Sequence, residues 1–127
     1  MGSAPFLGGG FGHFYVYAPV KIEYAIDRFT METKRQLDVL NRNLANRTYM
    51  VGDEYTIADM AIFPWITAIS KFYKADDFLQ TKEYPNLLRW MELIAARPAV
   101  QRGLRVNGFG EDAVKERHSP DDFNPKA

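Results

Sequence analysis

Tyr55-Thr56-Ile57-Ala58-Asp59 sets a hydroxyl residue three positions before an acid at the head of a strongly apolar run, and no other segment constrains the fold as much. In a helix starting here, the Thr56 side chain accepts a hydrogen bond from the Asp59 amide, and the Asp59 carboxylate accepts one from the Thr56 amide. Two donors that a helix end leaves unpaired are then satisfied together. Tyr55 before the cap and Met60 within the helix are spaced as a hydrophobic staple, and an acid in the first turn complements the helix dipole. Thr56 and Asp59 are therefore expected to be structural capping residues. From Ile57 to Ser70 the only polar side chains are Asp59, Thr67 and Ser70, the pattern of a helix packed on all sides. Pro64 removes one hydrogen bond, to the Met60 carbonyl, and is expected to kink the axis near Trp65.

The flanking segments also read as helical. Between Pro19 and Asn46, Ile22, Ile26, Phe29, Thr33, Leu37, Leu40 and Leu44 recur at steps of three and four, which is one face of a long amphipathic helix. Pro19 suits its first turn, where a missing N–H costs nothing. Upstream, Gly8-Gly9-Gly10-Phe11-Gly12 is expected to break regular structure, giving a helix end and then a loop. Downstream, Ala75 to Leu79 suggests a short helical turn, Tyr84 to Ala96 a full helix with Leu87, Trp90, Met91 and Ile94 inward, and Pro98 a further short helix. Nothing reads as a strand. The fold class is all-α, a helical domain over 1–110 followed by a tail over 111–127 that lacks periodicity.

Composition excludes several functions. Sixteen basic and sixteen acidic residues leave a formal net charge of zero, so no overall field favours nucleic acid or an anionic membrane. The apolar run falls short of the ~20 residues a membrane span needs, and the start has no leader pattern; a cytoplasmic location follows by default. With no cysteine in the sequence, any thiol chemistry must use a thiol from elsewhere. The two histidines, His13 and His118, have no acids at ligand spacing, and no metal site is expected. The glycine run is no dinucleotide cradle: His13 stands where that fingerprint wants glycine, and no strand precedes it.

On the long helix, Tyr24, Arg28, Met31 and Arg35 form a stripe away from the apolar seam. Basic groups mixed with an aromatic ring and a thioether suit a ligand wall or a subunit contact, and plain surface is the other reading. An Arg beside a Tyr offers a fork of donors to a carboxylate, so an acidic peptide is a sensible ligand.

The capped apolar helix, Tyr84-Pro85-Asn86-Leu87-Leu88-Arg89-Trp90 and Arg97-Pro98-Ala99-Val100-Gln101-Arg102-Gly103 together resemble the helical C-terminal domain of the glutathione transferase superfamily. Phe11-Gly12-His13-Phe14, Ala18-Pro19 and Tyr24-Ala25-Ile26-Asp27-Arg28-Phe29 look like its bacterial nu class, whose members are glutathione-dependent disulfide-bond reductases. The family's thioredoxin-like domain, which activates the glutathione thiol, has no counterpart in this sequence. The resemblance implies a second-substrate wall and part of a homodimer contact, binding glutathione or glutathione disulfide and inactive alone, with no catalytic residue of its own. It implies that Arg28 contacts glutathione, and that Ser3, Phe14, Tyr15, Tyr17 and Tyr24 line the adjoining cleft. Each aromatic has a rival role as packing around the glycine-rich segment. A non-catalytic assembly module on the same fold is the alternative.

Overall fold

The computed structural model describes residues 2–106. The expected tail over 111–127, its boundary near Gly110 and His118 lie outside the described residues. A wide helix, Ala4–Tyr17, is followed by α1 (Glu23–Asn43), α2 (Ile57–Lys71), α3 (Asp76–Leu79), a 3-10 turn (Thr81–Glu83), α4 (Pro85–Ala95) and α5 (Pro98–Gly103). Among the described residues there is no strand, only an isolated bridge between Tyr49 and Gly52. The all-α reading holds. The chain divides into two compact units, one ending at Glu92 and one beginning at Leu93.

In the first unit the glycine run does not break regular structure, contrary to expectation. Ala4–Tyr17 is a π-type helix, and the amide of Ala18 closes its end on the carbonyl of His13, five residues back, at 2.7 Å. Lys21 also reaches back to the Tyr15 carbonyl at 2.6 Å, where a cation suits a helix C-terminus. The glycines serve close packing: a Cβ on Gly8 would overlap the Trp65 ring of α2, and one on Gly10 would overlap the Phe29 ring of α1. Ring burial against a bare backbone offsets the conformational entropy that makes glycine a poor helix former.

α1 is shorter than the 19–46 span expected. It begins at Glu23 after an extended Ile22, and Pro19 lies in a bend outside it, so the proline does not start the helix. The inward seam holds best in the middle, where Thr33 and Leu37 are buried with Leu44 beyond the end, whereas Ile22 is exposed.

α1 and α4 cap each other. Asn41 Oδ1 accepts from the amides of Asn86 and Leu87 at 2.9 and 3.2 Å, satisfying the first turn of α4 from 45 positions away. In return, Arg89 Nη2 donates to the carbonyls of Leu44 and Arg47, at 2.8 and 2.9 Å, just past the end of α1. Neither cap is local.

α2 carries the capping box as expected, with Thr56 N–H donating to Asp59 Oδ2 at 2.9 Å and Ala58 N–H also reaching Thr56 Oγ1 at 3.3 Å. Asp59 does more than cap. Fully buried, its Oδ1 also accepts from the Met50 amide at 2.9 Å and from Trp90 Nε1 at 2.8 Å, joining the 49–52 turn, α2 and α4. Burial pushes its carboxyl pKa up, but the bonds from Met50, Thr56 and Trp90 outweigh burial and hold it below the usual value. Tyr55 sets its ring edge-on to Tyr49 at 5.8 Å, while the expected staple partner Met60 remains exposed.

α2 is not packed on all sides. Phe63, Ile66, Thr67, Ala68 and Ile69 are buried, but Ile57 is 81% exposed and Met60 and Pro64 also face outward. The Phe63 ring meets Trp90 edge-on at 6.0 Å. In the second unit, α5 starts at Pro98, the Arg97 amide bonds to Ile94 at 3.0 Å, and the Gln101 side chain donates to the Ala95 carbonyl at 3.3 Å.

Candidate functional site

The outer face of α1 holds the expected stripe. Tyr24 is 79% exposed; Arg28, Met31 and Arg35 follow it in solvent at helical spacing. Arg28 forms no hydrogen bond and no ion pair among the described residues. Its charge is felt by Glu32, one turn on, whose carboxyl pKa is lowered to about 2. Hydrogen bonds from Arg35 are the main cause, then one from Gln36; burial opposes them, and the charges of Arg35 and Arg28 assist. The Arg35 fork is bidentate, Nε to Oε2 at 2.9 Å and Nη2 to Oε1 at 2.6 Å. A planar guanidinium matches both carboxylate oxygens at once.

Ser3 is half-buried and stands beside this ion pair. It lines a shallow groove of about 210 Å³ with Gly2, Phe6, Glu32, Arg35 and Gln36. Gln36 ties the groove to the start of the wide helix by donating to the Gly2 carbonyl at 3.5 Å.

The aromatic residues divide between packing and surface. Phe14 stacks on Phe29 at 5.4 Å with an interplanar angle of 11°, filling space between the wide helix and α1. Tyr15 stacks on Phe11 at 4.9 Å and on Phe78 at 4.7 Å. Tyr17 is exposed and lines a second groove, of about 230 Å³, with Pro64, Trp65, Ala68, Phe72 and Tyr73. The two grooves share no lining residue, Ser3 belonging to the first and Tyr17 to the second. Sequence reasoning places Trp65 in the core; its spacing with Ala68 and Phe72 along one side of α2 is the available signal for a groove wall.

Among the described residues no three His, Asp or Glu side chains gather as metal ligands. No described helix is long and apolar enough to cross a membrane.

The helical fold and the order of its motifs coincide with a known domain. Residues 13–98 match the family model described as "Glutathione S-transferase, C-terminal domain", and the chain belongs to that family. Among curated relatives, the disulfide-bond oxidoreductase YghU of Escherichia coli is 55% identical over 128 residues, covering 97% of this chain and 44% of that protein. A crystal structure of the glutathione transferase YghU from Streptococcus pneumoniae, complexed with glutathione, aligns with a TM-score of 0.78 at 53% identity, over 85% of this chain and 42% of the other. A glutathione transferase from Pseudomonas putida, with one glutathione disulfide bound per subunit, aligns with a TM-score of 0.78 at 37% identity, over 84% of this chain and 46% of the other. The chain thus spans less than half the length of these relatives.

Proposed function

We propose that this domain forms the second-substrate wall of a glutathione-dependent disulfide-bond reductase of the nu class, with Arg28 holding a glutathione carboxylate. The observation that carries the reading is the state of Arg28: exposed beside Tyr24, with its guanidinium donors committed to no group among the described residues. Support comes from the oxidoreductase relative and from related structures that hold glutathione or its disulfide. Ser3 borders the same side of α1, Tyr24 offers a ring over which an Arg-bound ligand can lie, and Phe14 holds Phe29 next to Arg28. Tyr17 and the groove it lines form the apolar part of the wall.

The chemistry needs no protein thiol, in keeping with a sequence that has no cysteine. A glutathione thiolate attacks one sulfur of a substrate disulfide, forming a mixed disulfide and releasing the other sulfur as a thiolate that takes a proton. A second glutathione thiolate attacks the glutathione sulfur of that intermediate. Glutathione disulfide and the second substrate thiol leave, two electrons having passed from two glutathiones. A thioredoxin-like domain supplies the donors that lower the glutathione thiol pKa. On this reading the helical domain is inactive alone, takes part in a homodimer and works in the cytoplasm.

The test pairs the chain with a thioredoxin-like glutathione-binding domain and measures glutathione affinity by calorimetry. Arg28→Ala removes a charge-assisted hydrogen bond to the ligand and is expected to weaken binding about tenfold or more. Unchanged binding and turnover would remove Arg28 from the site. Absence of glutathione-dependent reduction in any such pairing would favour the assembly-module alternative.

A further inference from the structure

We propose that Arg35 is a positioning residue: its two-pronged hold on Glu32 keeps the Arg28 guanidinium free for a ligand carboxylate. The inference rests on the role of Arg28 proposed above and adds how that role is protected.

Arg28, Glu32 and Arg35 follow one another at steps of four and three, so the carboxylate stands between two guanidiniums on one side of α1. Either could take it. An acid four residues after a base is the weaker order of a helical pair but still within reach, so Glu32 is the internal rival to any ligand carboxylate at Arg28. In the structure the choice goes to Arg35, which engages both oxygens, and Gln36 Nε2 adds a third bond to Oε1 at 3.1 Å. The Glu32 side chain is only 11% exposed, whereas that of Arg35 is 62% exposed. Glu32 is therefore held low against the helix while Arg28 stands in solvent. Among the described residues the charge of Arg28 also reaches Glu32, one helical turn away, so it is the partner to which Glu32 turns once Arg35 is removed. An intramolecular carboxylate one turn away competes at high effective concentration with a ligand arriving from solution.

The test uses glutathione disulfide as the probe, titrated into the chain paired with a thioredoxin-like domain. Arg35→Ala is expected to raise Kd by about threefold or more, while kcat holds. The Glu32→Gln, Arg35→Ala double variant removes the rival acid and is expected to bring Kd back to within about twofold of the starting protein. Arg42→Ala removes the same charge further along α1, where Arg42 pairs with Asp38, and is expected to leave Kd unchanged. Three results overturn the inference while leaving Arg28 in place: Arg35→Ala without effect, an Arg35→Ala defect that the double variant does not repair, or an equal defect in Arg42→Ala. If Arg28→Ala itself leaves Kd unchanged, the reading of Arg28 fails, and this inference with it.

Discussion

A carboxylate removed from water must recover its hydration from fixed donors, and among the described residues Asp59 does so without a cation. Amides of Met50 and Thr56, the Trp90 indole and the Thr56 hydroxyl all point at it. Asp59→Ala leaves at least three of these donors unpaired inside the protein, and is expected to cost about 3 kcal/mol or more in chemical denaturation. Thr56→Ala removes only the cap and is expected to cost about 1 kcal/mol. If Asp59→Ala costs no more than Thr56→Ala, the bonds to Met50 and Trp90 contribute nothing. The pKa direction adds a pH dependence. Because folding lowers the Asp59 pKa, the unfolded chain takes up the proton first as pH falls. The stability Asp59 contributes is fully present above the ordinary aspartate value near 4 and declines below it. In a melting series from pH 6 to pH 3, Asp59→Asn is expected to lose less stability than the unaltered protein. The local half of this arrangement is legible in the sequence, because Thr56 and Asp59 are three positions apart. Met50 and Trp90 are not, since nothing local ties them to the box.

At the scale of elements, the wide helix shows how tertiary packing overrides local preference. Glycines that signal a break when read alone become the floor on which the Phe29 and Trp65 rings lie. Gly10→Ala forces its methyl into the Phe29 ring and is expected to destabilise by about 1–3 kcal/mol; an unchanged melting temperature would mean that the ring has room to move. The mutual capping of α1 and α4 makes a second claim. Asn41→Ala leaves the Asn86 and Leu87 amides without their acceptor and is expected to cost about 1 kcal/mol. Hydrogen exchange should speed up at those two amides first, and a uniform change across α4 would argue against the cap. Neither effect follows from apolar spacing. Periodicity locates α1 and α4 well, yet gives α1 about a turn too many at its start, because Pro19 looks like a first-turn proline and in fact sits in the bend that precedes Ile22.

For the whole molecule, α2 departs from its sequence pattern in how its surface is covered. A helix apolar on every side has no polar face to orient it, so the sequence shows it to be central without showing which flank is covered. Phe63, Ile66 and Ile69 face the core, whereas Ile57, Met60 and Phe72 remain exposed. The candidate site is legible to a similar degree. Arg28 stands out because a stripe and a family motif agree on it, whereas Trp65 does not, because an aromatic in an apolar helix reads as core. The proposed division of labour predicts that the isolated chain, at any concentration of glutathione, gives no reduction of a disulfide substrate above the uncatalysed rate. Adding a thioredoxin-like domain is expected to restore turnover. Activity in the chain alone would mean that thiol activation lies within these helices.

The way the Asp59 carboxylate is held has one more consequence. Among the described residues its partners are dipoles, with no counter-charge for dissolved electrolyte to screen. Concentrated sodium chloride, which loosens surface pairs such as that of Arg42 with Asp38, should leave the start of α2 intact.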